Sequence, residues 1–390
     1  MVFLILSTII FLAALPVVYW QHSQGRLDIV TTPAPPPPGG PRISVIIPAR
    51  NEAGNIRRCL EAVLAQDYPN FEVLVLDDRS TDSTPAILAE LSKDDTRLVV
   101  LLGDELPAGW VGKPHALYQA ARSATGEWLC FVDADTFLEP NALSATLHAA
   151  EKTGADMYTI MTRQIMGTFW EKTILPIVLT ALSVGFSPRK VNDPKRRDAV
   201  GNGQFILIKR SVYDALGGHE ALKNQIVEDK ALAEQVKWNG YRLVLADGYA
   251  QVKTRMYTSL PTLWEGWTKN MYLGLKDSPA MLLLGVFGAF LALMMAFFMP
   301  FWPLFGLAWY LNGGGTQAGV VCVESLLVWA AVLYARARTA QAMRISGWYA
   351  LTTPLGSALF AALLFTSTWK VLSGHGVTWR GRKYDPKVVR

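Results

Sequence analysis

The sequence contains little charge and little cysteine. Only 18% of its 390 residues are charged and 51% are hydrophobic, so the chain is more apolar than an average soluble domain. Its three cysteines, Cys59, Cys130 and Cys322, have no CxxC spacing and no histidine partner, so they indicate neither a metal cluster nor an oxidising compartment. The net charge of +5 is too small to argue for a nucleic-acid partner.

The hydrophobic residues are concentrated at the two ends of the chain. Val2–Trp20 is about long enough to cross a bilayer. This stretch has no basic start and no small-residue cleavage site, so it predicts a membrane anchor over residues 1–21 rather than a signal peptide. The Pro/Gly-rich sequence that follows predicts an extended linker over residues 22–41.

Residues 279–373 predict further membrane helices. The apolar stretches there are Met281–Phe298, Val320–Tyr334, Trp348–Val371 and Phe301–Leu311, the last of which is too short to cross a bilayer alone. The side of the membrane on which the basic tail of residues 374–390 lies depends on whether Phe301–Leu311 contributes to a crossing. The distribution of basic residues leaves this open.

Residues 42–278 predict a folded α/β domain. Short continuous apolar runs alternate with helical patterns, which indicates a mainly parallel sheet with helices on both faces. The runs are Ile43–Ile47, Phe71–Leu76, Leu98–Leu102, Trp128–Val132, Gln204–Ile208 and Tyr241–Leu245. In such a sheet, ligands bind at the carboxyl ends of the strands. Residues 168–186 predict an amphipathic helix on the membrane surface, with packing in the core as the alternative.

Acidic residues follow two of these strands. Asp77 and Asp78 come directly after the second run, and Asp133 and Asp135 come directly after the fourth. Two carboxylates separated by one residue on a tight turn can face Mg²⁺ or Mn²⁺, which then contacts substrate phosphates. For Asp77 and Asp78, turn formation is the alternative, because the sequence after them is rich in turn-forming residues.

Two further acidic positions are less specific. Glu228 and Asp229 open a predicted helix, where they either cap the helix or supply a general base. Asp247 follows the last apolar run.

One basic cluster stands out in the middle of the chain. It comprises Arg189, Lys190, Lys195, Arg196 and Arg197. Such a cluster suits anionic lipid headgroups or phosphates, and a solvated surface loop is an equal alternative.

Five motifs, in order between residues 42 and 255, resemble those of the inverting glycosyltransferase family 2. They are IPARNE (Ile47–Glu52), LDDRSTD (Leu76–Asp82), GKPHAL (Gly112–Leu117), FVDADT (Phe131–Thr136) and VED (Val227–Asp229). The closing VTWRGRKY (Val377–Tyr384) and the arrangement of apolar stretches resemble the lipid-modifying branch of that family. Within it, the chain is most similar to bacterial hopene-associated glycosyltransferases and is related in layout to ceramide glucosyltransferases and carotenoid glycosyltransferases.

The resemblance implies an activity and a location. It implies a GT-A nucleotide-sugar-binding domain that takes a UDP-sugar, requires Mg²⁺ or Mn²⁺, and transfers the sugar to a membrane lipid such as a hopanoid or a sphingolipid-like acceptor. It also implies a multi-pass protein of the inner membrane with its catalytic domain in the cytoplasm.

The resemblance also implies a role for each matching residue. Asp229 is expected to be the general base with Glu228 beside it, and Asp133 and Asp135 are expected to hold ribose, diphosphate and metal, with Asp135 the more direct metal ligand. The remaining expected donor-binding residues are Pro48, Arg50 and Glu52 at the nucleotide, Asp77 and Asp78 at the uracil and ribose, Lys113 near the donor, and Gly203, within Gly201–Gln204, near the transferred sugar.

One departure from the family pattern limits the inference. Ceramide-type and processive relatives carry a Q-x-x-R-W motif after the ED pair, whereas this chain has Leu263–Asn270 at the comparable place. Within that stretch, Trp267 is expected to form the floor of the acceptor site, and Lys269 is expected to stabilise the negative charge of the diphosphate. An interfacial aromatic residue and a snorkelling lysine are the alternatives. The missing motif argues against a processive polymerase.

Two other classes of function compete with sugar transfer. A nucleotidyl or phosphoryl transferase also uses paired carboxylates with Mg²⁺, but the sequence has no GxxxxGK[ST] phosphate loop. A membrane scaffold that binds a nucleotide or a lipid without turnover is the non-enzymatic alternative, although every expected acidic position is filled.

Overall fold

The computed structural model describes residues 29–185, 188–276, 279–374, 377–379 and 382–384, together with six single positions between residues 2 and 12. Most of the predicted anchor, the first part of the predicted linker and Arg380 of the tail lie outside the described residues. The described chain separates into two compact units. Residues 29–165 and 188–256 form the sheet unit, and residues 166–185 and 257–384 form the helical unit together with the N-terminal positions.

Twelve strands lie in the described residues. In chain order they are β1 (Ile43–Ala49), β2 (Phe71–Asp77), β3 (Leu98–Leu102), β4 (Trp128–Phe131), β5 (Thr136–Leu138), β6 (Met157–Met161), β7 (Arg163–Gln164), β8 (Ile206–Lys209), β9 (Leu243–Asp247), β10 (Val252–Thr254), β11 (Val377–Trp379) and β12 (Arg382–Tyr384).

The helices follow the same order. They are α1 (Ile56–Leu64), α2 (Thr84–Asp94), α3 (Gly112–Ser123), α4 (Ala142–Thr153), α5 (Phe169–Gly185), α6 (Pro188–Asn192), α7 (Arg210–Ala215), α8 (Glu228–Trp238), α9 (Leu260–Lys276), α10 (Pro279–Leu293), α11 (Met299–Trp309), α12 (Gly315–Ala342) and α13 (Thr353–Leu372).

The sheet unit is built on a seven-stranded sheet in the order β3-β2-β1-β4-β8-β6-β9. All its neighbouring pairs are parallel except those of β8, which runs antiparallel to β4 and β6. The predicted mainly parallel sheet is therefore confirmed. Because β2 and β4 lie on opposite sides of β1, the chain reverses its direction of winding there, and ligands bind at such a point in open α/β sheets.

Helices cover both faces of this sheet, which explains the continuous apolar runs of its central strands. In β1, Val45 and Ile47 belong to one hydrophobic cluster, which includes residues of α1, α2 and α4. Ile46 belongs to the other cluster, which includes residues of α3 and α8. Successive side chains of a strand point to opposite faces, so a strand covered on both sides is apolar at most of its positions.

A short segment over residues 29–31 joins the edge of the sheet at β9. Thr31 donates its backbone N–H to the Asp247 carbonyl, and its hydroxyl lies 2.9 Å from the Tyr158 hydroxyl. Asp247 is the last residue of β9 rather than the residue after it, and its side chain accepts the Tyr249 N–H at 2.8 Å. Asp247 is thus a turn-forming residue at the sheet edge.

Helix α5 packs in the helical unit. Thr168 and Glu171 form a capping box at its start, because the Glu171 carboxylate accepts the Thr168 N–H at 2.5 Å while the Thr168 hydroxyl accepts the Glu171 N–H at 3.3 Å. This accounts for a fully buried glutamate in an apolar helix. Ile174 and Val178 are also fully buried, so this part of α5 packs against protein. Its location on a membrane surface stays a prediction.

Two helical stretches of the helical unit are long and apolar enough to cross a membrane, namely Leu282–Ala342 and Gly347–Leu372. The first contains α10, α11 and α12. A π-helical turn over Met294–Phe298 joins α10 to α11, so the short stretch at Phe301–Leu311 continues the helix before it. The backbone leaves helical geometry at Asn312 and Gly313.

Glycines allow close approach of helices in this unit. A Cβ on Gly306 of α11 would lie 2.8 Å from the Cys322 Cα on α12. A Cβ on Gly356 of α13 would lie 2.6 Å from both the Thr173 carbonyl oxygen and the Ile177 Cδ1 on α5. Small residues at such contacts are typical of membrane helix pairs.

The contact at Gly356 makes a stability prediction. Gly356→Ala is expected to lower the free energy of unfolding of the helical unit by about 1–3 kcal/mol, because the added methyl group overpacks the contact with α5. Gly288→Ala is the matched control, since its Cβ would meet only Leu364 Cδ1 at 3.6 Å. Thermal unfolding of both variants in one detergent measures the effect. Equal midpoints for the two variants would contradict the packing argument.

Candidate active site

The candidate site lies at the carboxyl ends of β1, β2 and β4, where the winding of the sheet reverses. Pro48 in β1 pairs with Leu76 in β2. Asp133 follows β4 after one residue, and the Val132 N–H donates to the Ile46 carbonyl at 3.0 Å. The sheet therefore brings the first, second and fourth predicted motifs to one edge.

The loops after β1 and β2 hold each other. Asn51 accepts the Thr81 N–H at 2.8 Å through its side chain and donates its own N–H to the Ser80 hydroxyl at 2.9 Å. Asn51 and Arg79 adopt positive φ angles of 54° and 55°. Asparagine tolerates this left-handed region, whereas an arginine there marks a backbone that its surroundings constrain.

The acidic residues after β2 have separate surroundings. Asp77 is buried and its carboxylate accepts the Ser80 N–H at 3.0 Å, so this side chain contributes to the turn. Its predicted contact with the nucleotide stays a prediction. Asp78 is also buried, and Arg50 donates to its carbonyl oxygen at 2.6 Å with the guanidinium 3.9 Å from its carboxylate. Arg50 thus links the β1 loop to the β2 loop.

Glu52 lies at the start of the next helix. It is buried, accepts the Asn55 side-chain amide at 3.2 Å, and donates its N–H to the Thr84 hydroxyl at 2.9 Å. The first motif is predicted to line the nucleotide pocket with Pro48, Arg50 and Glu52. Pro48 lies in β1 and the other two follow it. Arg50 and Glu52 connect this segment to residues that follow β2.

Lys113 is the central cation of the site. It lies in the first turn of α3, and its ammonium is 2.6 Å from the Asp133 carboxylate and 2.7 Å from the Glu228 carboxylate. Burial favours the neutral amine, but the charges of Asp133, Glu228 and Asp229 outweigh it and raise the pKa of Lys113 well above its usual value. Lys113 thus joins the strand end of β4 to the start of α8.

Glu228 and Asp229 are adjacent, but their pKa values shift in opposite directions. Burial opposes ionisation of Glu228, but its ion pair with Lys113 lowers the pKa overall. Burial and the charge of Glu228 raise the pKa of Asp229 to about 6, against the opposing effect of Lys113. One carboxylate is therefore held ionised, whereas the other is poised near neutrality, where a general base works best.

Asp229 keeps capacity to accept a proton. Its Oδ2 accepts the Gly203 N–H at 2.8 Å, and its Oδ1 accepts the Lys230 N–H at 2.8 Å. The Lys230 bond satisfies a backbone N–H in the first turn of α8, and each carboxylate oxygen retains a second lone pair, so this contact is compatible with the predicted role as a base.

The glycines of the Gly201–Gln204 loop are required by space. A Cβ on Gly203 would lie 3.1 Å from both Asp229 Oδ2 and Lys113 Nζ and 3.5 Å from Asp133 Oδ2. A Cβ on Gly201 would collide with the Asp229 carbonyl oxygen. The loop therefore approaches the charged groups as closely as a backbone can.

Asp135 is the residue best suited to a cation. It is buried, and the Thr254 hydroxyl donates to its carboxylate over a long distance of 3.3 Å. Burial is the main cause that raises the pKa of both Asp133 and Asp135, so a positive charge nearby would stabilise their ionised forms.

The described residues do not by themselves form a complete metal cage. Within them, no group of three or more His, Cys, Asp or Glu side chains is arranged to hold a metal ion. Mg²⁺ in nucleotide sites is commonly held by one or two carboxylates, water and the substrate phosphates. A site with Asp135 as the main protein ligand fits that pattern.

His219 is a pocket residue that sequence analysis missed. Its ring packs edge-on against Phe131, with 4.9 Å between centroids, and its Nδ1 lies 2.8 Å from the Tyr213 hydroxyl. It lines the same cavity as Lys113 and Glu228. Burial lowers the pKa of His219 to about 4, so the ring is neutral near pH 7. It lies between the recognisable motifs, where no local pattern indicates a role.

A buried polar cluster surrounds Gln204 of the glycine loop, and its other members were not predicted from the sequence. The Gln204 side-chain oxygen accepts from the Thr162 hydroxyl and, at 3.2 Å, from the Gln164 amide. Its amide nitrogen donates to the Met256 sulfur at 3.0 Å, and sulfur is a weak acceptor. The cluster gives this side of the loop hydrogen-bonding capacity.

Trp267 and Lys269 lie on α9 in the helical unit. Trp267 is 7% exposed and packs within that unit beside Tyr257, with 6.3 Å between ring centroids. Their predicted roles at the acceptor and the diphosphate stay predictions.

Comparison with known proteins agrees with this geometry. Residues 44–217 match the family model described as Glycosyl transferase family 2. The chain is 27% identical over 351 residues, 88% of each chain, to a 4,4'-diaponeurosporenoate glycosyltransferase of Staphylococcus aureus strain MRSA252. Among solved structures, the mannosyltransferase PcManGT from Pyrobaculum calidifontis in complex with GDP-Man and Mn²⁺ matches with a TM-score of 0.54 and 20% identity, covering 95% of this chain and 98% of that chain.

The fold is of the GT-A type, and the chain is a glycosyltransferase. More particularly, the segment that matches glycosyl transferase family 2, residues 44–217, contains the β1, β2, α3 and β4 motifs of the candidate site. Glu228 and Asp229 lie beyond the matched segment, so their position in the site rests on the ion pair with Lys113 and the hydrogen bond from Gly203.

The close approach of the glycine loop makes a prediction about activity. Gly203→Ala is expected to lower kcat/KM by about 100-fold, because the methyl group would displace Asp229 or Lys113 and misplacement of a catalytic group has an effect of this size. Gly54→Ala is the control, since its Cβ would meet nothing within 4 Å. Steady-state kinetics and circular dichroism of both variants test this. Full activity of Gly203→Ala would show that the loop is not part of the site.

Proposed function

We propose that the chain transfers a sugar from a UDP-sugar to the hydroxyl group of a membrane lipid, with inversion at the anomeric carbon. The observation that carries the proposal is the joining of the β4 carboxylates to the start of α8 through Lys113, which lies 2.6 Å from Asp133 and 2.7 Å from Glu228. Through Lys113, Asp133, which we assign to the donor, and Asp229, which we assign as the base, belong to one charged network.

The donor side of the proposal is supported by the strand-end loops. Pro48, Arg50, Glu52 and Asp78 are placed around the ends of β1 and β2, where a nucleotide binds in folds of this type, and we assign them to the uracil and ribose. The GDP-Man and Mn²⁺ in the PcManGT complex support a nucleotide-sugar donor with a divalent cation. We favour UDP over GDP on the resemblance of the motifs.

The metal is proposed to be held by Asp135, with Asp133 near it. When bound, a divalent cation neutralises the charge that builds up on the leaving diphosphate. Asp133, held by Lys113, is then assigned to the ribose. The four residues Gly201–Gln204 are assigned to the transferred sugar, with the Gln204 amide available for a sugar hydroxyl.

The proposed reaction is a single displacement. Asp229 takes the proton from the acceptor hydroxyl as that oxygen attacks the anomeric carbon. The bond from the anomeric carbon to the diphosphate oxygen breaks, and its electron pair leaves with the nucleoside diphosphate. Glu228 stays ionised beside Lys113, and its charge favours the protonated form of Asp229 after transfer. Attack from the face opposite the leaving group inverts the configuration.

The lipid acceptor is supported by two independent findings. The named relatives act on diaponeurosporenoate, and this chain has two helical stretches of sufficient length and hydrophobicity to cross a membrane. We therefore place the enzyme in the cytoplasmic membrane with its catalytic domain on the cytoplasmic side. A lipid such as a hopanoid is the acceptor that the motif resemblance favours.

A carboxylate acceptor is the second candidate, favoured by the relatives, because the name diaponeurosporenoate denotes a carboxylate. A carboxylate has no proton to lose at neutral pH, so it would not need Asp229 as a base. The product would be a sugar ester, which mild alkali cleaves, whereas a glycoside survives. Incubation with UDP- and GDP-sugars and a membrane lipid extract, followed by mass spectrometry before and after alkali, separates these candidates and identifies the sugar.

Replacement of the base tests the hydroxyl mechanism. Asp229→Asn is expected to lower kcat by about 100-fold or more with a hydroxyl acceptor, because general base catalysis contributes at least this much. Binding of the UDP-sugar, measured by calorimetry, should change little. Asp247→Asn serves as the control, because Asp247 is a turn residue at the sheet edge. Unchanged turnover of Asp229→Asn would remove Asp229 from the mechanism.

The pH dependence follows from the raised pKa of the base. Asp229 must be ionised to accept a proton and its pKa is raised to about 6, so kcat is expected to fall about tenfold for each pH unit below 6. A fall of the same slope in the residual activity of Asp229→Asn would contradict the assignment of this pH dependence to Asp229.

Metal removal tests the proposed ligand. EDTA is expected to abolish transfer, and Mn²⁺ or Mg²⁺ is expected to restore it. Asp135→Asn should raise the Mn²⁺ concentration for half-saturation by about tenfold or more, measured in the presence of UDP by electron paramagnetic resonance of free Mn²⁺. Full activity in EDTA, or unchanged Mn²⁺ binding by Asp135→Asn, would contradict this assignment.

A further inference from the structure

A second surface of the sheet unit has a strong local charge. Residues 188–198, here called the basic segment, contain α6 and the turn after it. Five basic and two acidic residues give it a net charge of +3, and all five basic residues are exposed, namely Arg189, Lys190, Lys195, Arg196 and Arg197.

The acidic residues of the basic segment are used locally. Asp193 accepts the Lys195 N–H at 2.9 Å, and Asp198 pairs with Arg196 at 3.0 Å. Among the described residues, no ion pair involves Lys190 or Lys195. Arg196 is the main cause of the lowered pKa of Asp198, and the charge of Lys190 adds to it, but within this described part of the chain neither Lys190 nor Lys195 is held in an ion pair and both ammonium groups are exposed.

The basic segment is held in place rather than left as a loose loop. The buried ammonium of Lys237 on α8 donates to the carbonyl oxygens of Lys190 at 3.2 Å, Val191 at 2.5 Å and Asp198 at 2.7 Å. The Lys237 ammonium therefore interacts with the backbone of the basic segment. The exposed cations are thus presented on a fixed scaffold, which favours a binding surface over the alternative of a solvated loop.

The edge strand adds a second attachment. Asn192 donates its side-chain amide to the Leu245 carbonyl at 2.9 Å and accepts the Leu245 N–H at 2.7 Å. This pair satisfies backbone groups of β9 at the sheet edge, where a strand otherwise exposes them. The segment therefore lies against β9.

An exposed tryptophan lies within this surface. Trp238 at the end of α8 is 51% exposed, and its indole N–H donates to the Arg197 carbonyl at 3.1 Å. The Arg197 guanidinium lies 5.9 Å from the ring centroid. Tryptophan with its polar edge satisfied, next to lysine and arginine, is the composition found at membrane–water interfaces.

Chain connectivity indicates which anion this surface meets. The segment begins three residues after the end of α5, and α5 packs on α13 through Gly356. Helix α13 lies within one of the two stretches able to cross a membrane. The chain thus leaves an apolar helical unit and enters a basic surface at once, which is the place where cytoplasmic basic residues meet anionic headgroups.

We propose that the basic segment, with Trp238, docks the sheet unit on the anionic phospholipid headgroups of the membrane. Lys190, Lys195 and Arg197 supply the charge, Trp238 supplies the interfacial aromatic ring, and Lys237 and Asn192 hold the surface in shape. The inference concerns a surface other than the strand-end site and does not depend on sugar transfer.

The test measures distance from the membrane surface with the full chain in nanodiscs. A fluorophore is attached at Pro194→Cys, in the segment, or at Ala89→Cys, on α2, both in a Cys322→Ser background that leaves the two buried cysteines. Both sites are exposed, and neither change alters charge. Helix α2 belongs to the β3 edge, and six interstrand steps of about 4.8 Å put the β3 and β9 edges roughly 29 Å apart.

The nanodiscs contain phosphatidylglycerol and carry a quencher on the lipid headgroups. We expect quenching of the fluorophore at position 194 to be at least twofold stronger than quenching at position 89. The difference should shrink in pure phosphatidylcholine and at high salt, because exposed charges are screened. The pair Lys190→Gln and Lys195→Gln should reduce it, whereas Lys93→Gln with Lys152→Gln, which removes the same charge elsewhere, should not.

Three results would overturn the proposal. Equal quenching at positions 194 and 89 would place the segment no nearer the membrane than the opposite edge. A difference that is the same with and without phosphatidylglycerol would remove the anionic lipid from the contact. Loss of the difference on adding millimolar inorganic phosphate or a short DNA duplex at constant ionic strength would assign the surface to a soluble anion or to nucleic acid instead.

Discussion

The charged network around Lys113 is the interaction on which the site depends. Its single ammonium lies between Asp133, after β4, and Glu228, at the start of α8. Without that cation, the carboxylates of Asp133, Glu228 and Asp229 would face one another in a buried place. Like charges repel strongly there, so at least one carboxylate would take up a proton. With the cation, Glu228 stays ionised, while burial and the charge of Glu228 raise the pKa of Asp229 against the opposing effect of Lys113. One lysine therefore joins the parts of the site and keeps the neighbour of the proposed base ionised.

The backbone around this network is shaped to let the charges meet. Gly201 and Gly203 lie so close to Asp229 that a side chain on either would strike the start of α8 or the charged groups. On the other side of β1, the loops of Asn51 and Ser80 lock together through backbone and side-chain hydrogen bonds. Both features follow from the reversal of winding at β1, which leaves a crevice between strand ends that only loops can line.

The helical unit and the basic segment are the parts of the protein that we expect to contact the membrane. Capping of α5 by Glu171 allows an acidic residue to lie fully buried in an apolar helix, and glycines let α11 and α13 approach their neighbours. Directly after α5, the chain turns basic and is fastened by Lys237 and Asn192. A protein whose proposed acceptor is a lipid needs its catalytic surface held near the bilayer, and fixed cations are one physical means of doing so.

The sequence by itself predicted six of the seven strands of the main sheet, all except β6, and named the acidic residues expected at its reactive edge. Continuous apolar runs indicated buried parallel strands, and acidic residues directly after them indicated the reactive edge, because both patterns are local and depend only on residue order. The contacts of these acids depend on the tertiary structure. Asp133 pairs with Lys113, whereas the Asp77 carboxylate accepts a turn N–H and Asp247 ends the edge strand, although all three follow apolar runs along the chain. Strand order, the place of Lys113 between two distant carboxylates, and the packing of His219 all arise from long-range pairing, which no local pattern records.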